Sequence, residues 1–200
     1  MSSHTLVEAV VVACWSLFAA VWIGGALYNA GHAPRARRRS LGSARWMLVA
    51  IPVWLVARLV LGVDTLSFRT EPDAVRAIGA ILLVVATGFT LWARVALGTM
   101  WSSKPLTRER HVLRTEGPYA VTRHPIYTGI LGMVLATAIA LNFGAWVWVF
   151  VLVAVFFELR IRSEEQLLSE AYPDAYEEYR RRVPQLIPWL RPRSRPLAGA

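Results

Sequence analysis

Long apolar runs separated by short basic segments dominate the pattern of this chain. An α-helix needs roughly 20 mostly apolar residues to cross about 30 Å of hydrocarbon. Three runs in the N-terminal half have that length and predict membrane-spanning helices: Leu6–Tyr28, Ala44–Val63 and Val75–Leu97. The second run contains Arg58 and the third contains Arg94, and each charge needs a partner or a nearby interface at that depth.

The C-terminal half holds one longer apolar stretch. Its 33 residues, Pro125 to Phe157, carry no charge, and one helix of that length would extend about 50 Å, too long for a single crossing. The sequence Asn142-Phe143-Gly144 in its middle favours a turn. The pattern therefore predicts two spans, about Ile126–Leu141 and Ala145–Ile161, that form a tight hairpin.

Basic residues test this topology, because Lys and Arg concentrate on the cytoplasmic side of membrane proteins. Residues 35–45 contain five Arg, residues 99–124 contain five Lys or Arg, and the chain from Arg160 onward contains eight. Both loops and the tail are therefore predicted to be cytoplasmic, which requires an even number of crossings between them. The predicted fold is an all-α membrane protein with five transmembrane helices, a C-terminal hairpin and a cytoplasmic helical cap. The N-terminus is predicted to lie on the non-cytoplasmic side. An inner membrane, a plasma membrane or an endoplasmic reticulum membrane fits this orientation.

Composition supports a membrane protein. The chain is 56% hydrophobic with a mean hydropathy of +0.42 and is only 18% charged, against about 25% in typical soluble proteins. Its net charge of +9 does not indicate nucleic-acid binding, since the charges lie between apolar runs. The single cysteine, Cys14, excludes an intrachain disulfide and gives no basis for a metal site.

The chain is predicted to divide into three regions. Residues 1–98 hold three transmembrane helices and a basic loop, residues 99–190 hold a cofactor-binding loop, the hairpin and the cap, and residues 191–200 form a disordered tail. Within the cap, Pro173 marks a helix break or a new start. Tyr172, Tyr176 and Tyr179 share one helical face, which favours an aromatic stripe at the membrane interface. The same face could instead cap a site.

Candidate chemistry concentrates where the two ends of the hairpin meet the cytoplasm. Arg123 and His124 precede Pro125 at a helix N-terminus, a place that can hold an anion. They could equally be interfacial anchors. Glu164 and Glu165 follow the fifth span and are not explained by topology.

A hairpin brings its two ends together, so Arg123, His124 and Tyr127 are predicted to face Arg160, Glu164 and Glu165. The glutamates could otherwise pair with Arg160 and Arg162 at a solvated helix start. Arg94 either snorkels to the cytoplasmic interface or pairs in a cavity. Arg58 lies deeper, and structural pairing is the favoured interpretation.

These residues resemble the isoprenylcysteine carboxyl methyltransferase family and its relatives, which include phospholipid N-methyltransferases. The resemblance covers about Arg94 to Pro188 and rests on an ordered set of motifs. These are Gly117 and Tyr119; Arg123-His124-Pro125-Ile126-Tyr127-Thr128-Gly129; Arg160 with Glu164-Glu165 and Leu168; Tyr176 and Tyr179; and Arg182-Val183-Pro184.

The resemblance implies a membrane-embedded methyltransferase that uses S-adenosylmethionine without a Rossmann-like fold. The cofactor-binding residues that it implies are Tyr119, Arg123, His124, Pro125, Tyr127, Gly129, Glu164 and Glu165. The catalytic residues that it implies are Arg94, Arg160 and Glu165, with the two arginines on the substrate side. The expected partners are membrane lipids and a lipid-like or prenylated substrate that enters from the bilayer.

The methyl acceptor is not fixed by these motifs. A carboxylate is favoured because it is already ionised at neutral pH and needs no base, whereas an amine or thiol must lose a proton. A phospholipid amine and a small hydrophobic thiol remain alternatives. Two other functions are also open: a membrane lipid reductase that uses a nicotinamide cofactor, and a non-catalytic membrane scaffold.

Overall fold

A computed structural model describes residues 3–32, 72–98, 113–141 and 146–188. Within these ranges the chain forms helices and no strand, which confirms the all-α prediction for this part of the protein. The helices are α1 (Ser3–His32), α2 (Asp73–Leu97), α3 (Pro118–Val121), α4 (Pro125–Ala140), α5 (Trp146–Ala171) and α6 (Pro173–Arg182).

Two of these helices are long and apolar enough to cross a membrane, α1 over Ser3–Gly25 and α2 over its whole length. They correspond to the predicted first and third spans. Helix α4 is a shorter apolar helix. The predicted second span with Arg58, the predicted turn at 142–144 and the tail 191–200 lie outside the described residues, so the count of five spans and the three-region division stay predictions.

Helices α1 and α2 run parallel to each other. At one end Ser3 Oγ donates a hydrogen bond to Asp73 Oδ2 at 2.9 Å, and at the other end Gly25 of α1 lies against Arg94 of α2. The predicted topology also makes the first and third spans parallel, because two crossings separate their starts. The core between them contains apolar side chains of three helices: Val7, Val11 and Cys14 of α1, Ala80 and Leu83 of α2, and Met133, Ala136 and Ala140 of α4.

Helix α4 packs antiparallel to α2 at very short range. A Cβ atom at Gly79 would lie 2.5 Å from the backbone nitrogen of Ala140, and one at Gly129 would lie 2.1 Å from Thr90 Oγ1. Small residues let helix backbones approach closely in membrane proteins, where van der Waals contact replaces the hydrophobic effect as the attraction between helices. This contact fixes the position of α4 along α2, and hence the position of His124 and Arg123, which directly precede α4.

Helix α5 continues from the apolar hairpin into the polar C-terminal region and ends at Ala171. Helix α6 begins at Pro173 in its first position, so the predicted break is confirmed there. Tyr176 is 1% exposed and Tyr179 is also buried, and both pack with Val183, Leu113 and Leu168. The prediction of an interfacial aromatic stripe is therefore wrong for these two tyrosines, because their rings fill a protein core.

Gly79→Ala is expected to destabilise the protein by about 1–3 kcal/mol, because the added methyl group would force α2 and α4 apart. Gly88→Ala is the matched control in the same helix, since a Cβ atom there meets no described atom within 4 Å. Thermal unfolding of detergent-purified protein measures both variants. Equal unfolding temperatures for the two variants would contradict this account of the α2–α4 contact.

Candidate active site

The carboxylate of Glu165 is the centre of a buried charged cluster. Its Oε1 atom accepts hydrogen bonds from Arg123 Nε at 2.9 Å and from His124 Nε2 at 3.3 Å, and a second Arg123 nitrogen lies 2.8 Å away. The side chains of Arg123 and Glu165 are 7% and 17% exposed. Opposite charges with several hydrogen bonds can be buried together, because each compensates the other for lost hydration.

Glu164, one residue earlier, forms a second and more accessible group. Tyr127 donates its hydroxyl hydrogen to Glu164 Oε1 at 2.7 Å. Arg160 Nε lies 2.9 Å from the same oxygen and donates to the Tyr127 hydroxyl at 2.6 Å. The Arg160 and Glu164 side chains are 23% and 24% exposed. The two groups meet at His124, whose Nδ1 lies 3.9 Å from Glu164 Oε2.

An aromatic stack packs beside this cluster. The His124 ring stacks on Tyr127 with 5.7 Å between centroids, and Tyr127 stacks on Phe157 of α5 at 4.5 Å. The predicted meeting of the two hairpin ends is thus seen directly. Of the alternative pairings considered from sequence, Arg160 does pair with Glu164 across one helical turn, whereas Arg162 pairs with Glu158.

The segment of residues 183–186, here called the C-terminal segment, is bound to the charged cluster by hydrogen bonds to its backbone. The backbone N–H groups of Arg123 and His124 donate to the carbonyls of Pro184 and Gln185 at 2.9 and 3.2 Å. The Arg123 guanidinium donates to the carbonyls of Arg180 and Val183 at 3.1 and 2.7 Å. Arg123 therefore neutralises Glu165 and also satisfies carbonyls at the C-terminal end of α6, where a cation is favoured.

Two threonines that sequence reasoning missed complete this attachment. Thr122 Oγ1 donates to the Gln185 carbonyl at 2.6 Å, and Thr128 Oγ1 donates to the Leu186 carbonyl at 2.8 Å. Thr122 is fully buried. The sequence pointed to these threonines only through their positions beside Arg123 and His124, since a threonine at a helix start commonly bonds to nearby backbone groups.

The electrostatic environment fixes protonation states. Burial by itself raises the pKa of Glu165, but the hydrogen bond from His124 and the charge of Arg123 outweigh it and lower the pKa to about 2. Burial raises the pKa of Tyr119, Tyr176 and Tyr179 above the usual value, and nearby negative charge adds to the effect. At neutral pH Glu165 is therefore an anion and a weak base, and these tyrosines are neutral.

The remaining predicted site residues occupy different places. Pro125 is buried at the first position of α4, and Gly129 faces Thr90 in the α2–α4 contact. Tyr119 of α3 contributes its backbone carbonyl, which accepts a hydrogen bond from the Tyr179 hydroxyl at 2.6 Å. Arg94 is buried at the end of α2 against α1. Arg160 belongs to the Glu164 group, whereas the Arg94 guanidinium donates to the carbonyl of Gly98 at the end of α2.

Comparisons with known proteins bear on the same region. The sequence model of the isoprenylcysteine carboxyl methyltransferase (ICMT) family matches residues 79–170. The chain is similar to the protein-S-isoprenylcysteine O-methyltransferase of Schizosaccharomyces pombe, with 40% identity over 81 residues, which is 40% of this chain and 34% of that protein. It is 39% identical over 89 residues to protein-S-isoprenylcysteine O-methyltransferase B of Arabidopsis thaliana, covering 41% of this chain and 42% of that one.

The chain is also similar, over a longer stretch, to a protein that is named for metal resistance. The nickel-cobalt-cadmium resistance protein NccN of Alcaligenes xylosoxydans xylosoxydans is 30% identical over 152 residues, which is 70% of this chain and 65% of that protein. The chain thus spans between about a third and two thirds of the length of these curated relatives.

Glu165→Gln is expected to destabilise the protein by about 2–4 kcal/mol, because it leaves the buried Arg123 charge without its counter-ion. Glu178→Gln is the matched control: Glu178 pairs with Arg182 on the surface of α6, where both side chains are exposed and an ion pair contributes little. Thermal unfolding gives the stabilities, and the rate of trypsin cleavage after Arg180–Arg182 reports release of the C-terminal segment. Similar values for both variants would contradict a central role for the Arg123–Glu165 pair.

Stability is expected to fall in acid as Glu165 becomes protonated. Its folded-state pKa of about 2 lies below its ordinary value of 4.5, so the stabilisation is complete above the ordinary value and is lost as pH falls from about 5 towards 2. Unfolding temperatures of the wild type and of Glu165→Gln, measured from pH 6 to pH 2.5, test this expectation. The difference between them should shrink with acid, and parallel curves would show that Glu165 does not carry the effect.

Proposed function

We propose that this chain is a member of the isoprenylcysteine carboxyl methyltransferase (ICMT) family, whose sequence model matches residues 79–170, and that it is a membrane methyltransferase that uses S-adenosylmethionine. We propose that the acceptor is an amphiphile in the bilayer with a carboxylate of the isoprenylcysteine type. The observation that carries the proposal is the charged cluster at the end of the apolar hairpin, which lies almost entirely within the matched region. It places ionised groups in a largely buried setting beside helices that face lipid.

The exposed half of the cluster suits the cofactor. S-adenosylmethionine carries an amino-acid end with an ammonium and a carboxylate, and each requires a partner of opposite charge. Glu164 and Arg160 offer such partners 2.9 Å apart, and both side chains remain partly accessible. Sequence reasoning placed Arg160 on the substrate side, whereas its contacts with Tyr127 and Glu164 favour a role beside the cofactor.

The buried half of the cluster suits a supporting role. Glu165 already accepts hydrogen bonds from Arg123 and His124, so its function is to hold these two side chains in place. Arg123 in turn holds the C-terminal segment, which closes the cluster on one side and limits the access of water. In this proposal Glu164 contacts the cofactor and Glu165 is a positioning residue.

The chemistry requires alignment more than proton transfer. Bound S-adenosylmethionine would supply an electrophilic methyl group on its sulfonium. The protein must hold the acceptor oxygen in line with that group and keep water away, which can provide most of the rate acceleration. Tyr127, stacked between His124 and Phe157, gives the site a rigid aromatic floor.

The protonation states favour a carboxylate acceptor. An amine or thiol must lose a proton to become nucleophilic, but Glu165, with a pKa of about 2, is too weak a base for that task. The raised pKa values of Tyr119, Tyr176 and Tyr179 keep these groups as proton donors. A carboxylate is ionised at neutral pH and needs no base. For an amine or thiol acceptor, His124 or Glu164 would have to serve as the base.

Purified protein is expected to be stabilised against heat by S-adenosylmethionine and S-adenosylhomocysteine and not by NADPH, because only a ligand that binds the folded state raises its stability. Glu164→Gln should weaken S-adenosylhomocysteine binding by about tenfold or more, given the loss of a charge-assisted contact. Glu170→Gln is the control, since Glu170 lies further along α5 and its exposed side chain contacts Gln166.

The acceptor is tested with the same preparation. Radiolabelled methyl transfer is expected to N-acetyl-S-farnesylcysteine and not to phosphatidylethanolamine or to a hydrophobic thiol. No shift with either adenosyl ligand would overturn the proposed function. Transfer only to the amine or the thiol would keep the methyltransferase and replace the carboxylate acceptor.

A further inference from the structure

Arg94 lies in a space that exists because residue 25 has no side chain. Arg94 is 7% exposed, and a Cβ atom built on Gly25 of α1 would stand 2.3 Å from one terminal guanidinium nitrogen and 3.1 Å from Cζ. No real Cβ tolerates such distances, so any other residue at this position would displace the guanidinium. The preceding residue, Gly24, differs completely, since a Cβ atom there meets no described atom within 4 Å.

Trp22, one helical turn before Gly25, forms the second wall of this space. The Arg94 guanidinium carbon lies 6.0 Å from the centroid of the Trp22 ring, within the range of a cation–π contact. The ring is held by an aromatic series along α1: Trp22 stacks on Phe18 at 4.4 Å, and Phe18 meets the edge of Trp15 at 5.7 Å. Trp15 donates its indole hydrogen to Thr137 of α4 at 3.1 Å. Helix α1 therefore presents a rigid surface to Arg94.

The position of Arg94 relates this space to the candidate active site. Its other terminal nitrogen donates to the Gly98 carbonyl at 3.3 Å, which holds the guanidinium at the end of α2. Tyr119 lies within electrostatic range of both Arg94 and Glu164. Apolar side chains within two residues of Gly25 and Arg94 are exposed on the outer surface of α1 and α2, among them Ile23, Trp92 and Val95. A lipid-like tail along these helices would end with its headgroup at Arg94.

We propose that Gly25 and Trp22 are positioning residues that aim the Arg94 guanidinium at the carboxylate of the acceptor. The proposal rests on the proposed function, and it names the residues that bind and orient the headgroup of the acceptor. Helix α1 lies outside the residues that match the family. Recognition of the acceptor headgroup therefore depends on a part of the chain that the matched region does not contain.

Gly25→Ala compared with Gly24→Ala tests this proposal. Both variants add the same methyl group to the same helix, but only the first meets Arg94. Gly25→Ala is expected to raise the KM for N-acetyl-S-farnesylcysteine about tenfold, while the affinity for S-adenosylhomocysteine stays within about twofold of wild type, because the change removes binding of the acceptor alone. Gly24→Ala should leave both quantities within about twofold.

A carboxylate-free analogue separates positioning of Arg94 from a general effect on the fold. N-acetyl-S-farnesylcysteamine has the same tail and no carboxylate, and its inhibition constant is expected to be unchanged in Gly25→Ala. In the Arg94→Lys background Gly25→Ala should have little further effect on KM, because a single ammonium does not fill the guanidinium's space. A loss of affinity for the analogue as large as that for the acceptor would overturn the proposal.

The other outcomes are also decisive. Equal KM values for Gly25→Ala and Gly24→Ala, with methyl transfer intact, would overturn the assignment of Gly25 and leave the proposed function standing. Absence of adenosyl-ligand binding and of transfer in the wild type would overturn both. If Gly25→Ala does not fold, Trp22→Leu gives the same comparison: a raised KM for the carboxylate acceptor and an unchanged inhibition constant for the analogue are expected, and any other pattern contradicts the proposal.

Discussion

The burial of Arg123 beside Glu165 is the interaction on which the polar, C-terminal end of this structure depends. Either charge alone would be very costly in a site with so little water. Together they join three parts of the chain that are distant in sequence: the residues before α4, the polar half of α5, and the backbone at the C-terminal end of α6. Because the pair is satisfied only when all three are in place, folding of this end is expected to be cooperative.

The packing of the apolar helices supplies the frame for that pair. The close contact of α2 and α4 at Gly79 and Gly129 determines where α4 starts, and the stack of Tyr127 on Phe157 determines how α5 leaves the hairpin. Small errors in either contact would shift Arg123 relative to Glu165 by more than a hydrogen bond tolerates. Packing in the apolar region and electrostatics at its edge are therefore parts of one structure.

Much of this arrangement could be predicted from the sequence. Hydrophobic runs predicted the helices, and an uncharged stretch too long for one crossing predicted that His124 and Glu165 would meet. These signals are strong because the bilayer imposes length and charge rules on a chain. The helix start at Pro173 was predicted for a similarly local reason, the missing N–H of proline.

Other features left a weaker signal in the sequence or none. The bonds from Thr122 and Thr128 end on backbone carbonyls, which every residue possesses, so the sequence of residues 183–186 could not reveal them. Tyr176 and Tyr179 have the spacing of an interfacial face, and only tertiary packing decides that the face is buried. The approach of Gly25 to Arg94 joins residues 69 positions apart in different helices, and no periodicity connects them.

The attachment of the C-terminal segment through its main chain has a consequence for how this protein can diverge. Pro184, Gln185 and Leu186 are held by their carbonyl oxygens, and these hydrogen bonds do not depend on which side chains the three residues carry. They do depend on register. Insertion or deletion of one residue between α6 and this segment would offer each donor the wrong oxygen at once, so docking constrains the spacing from Arg182 directly.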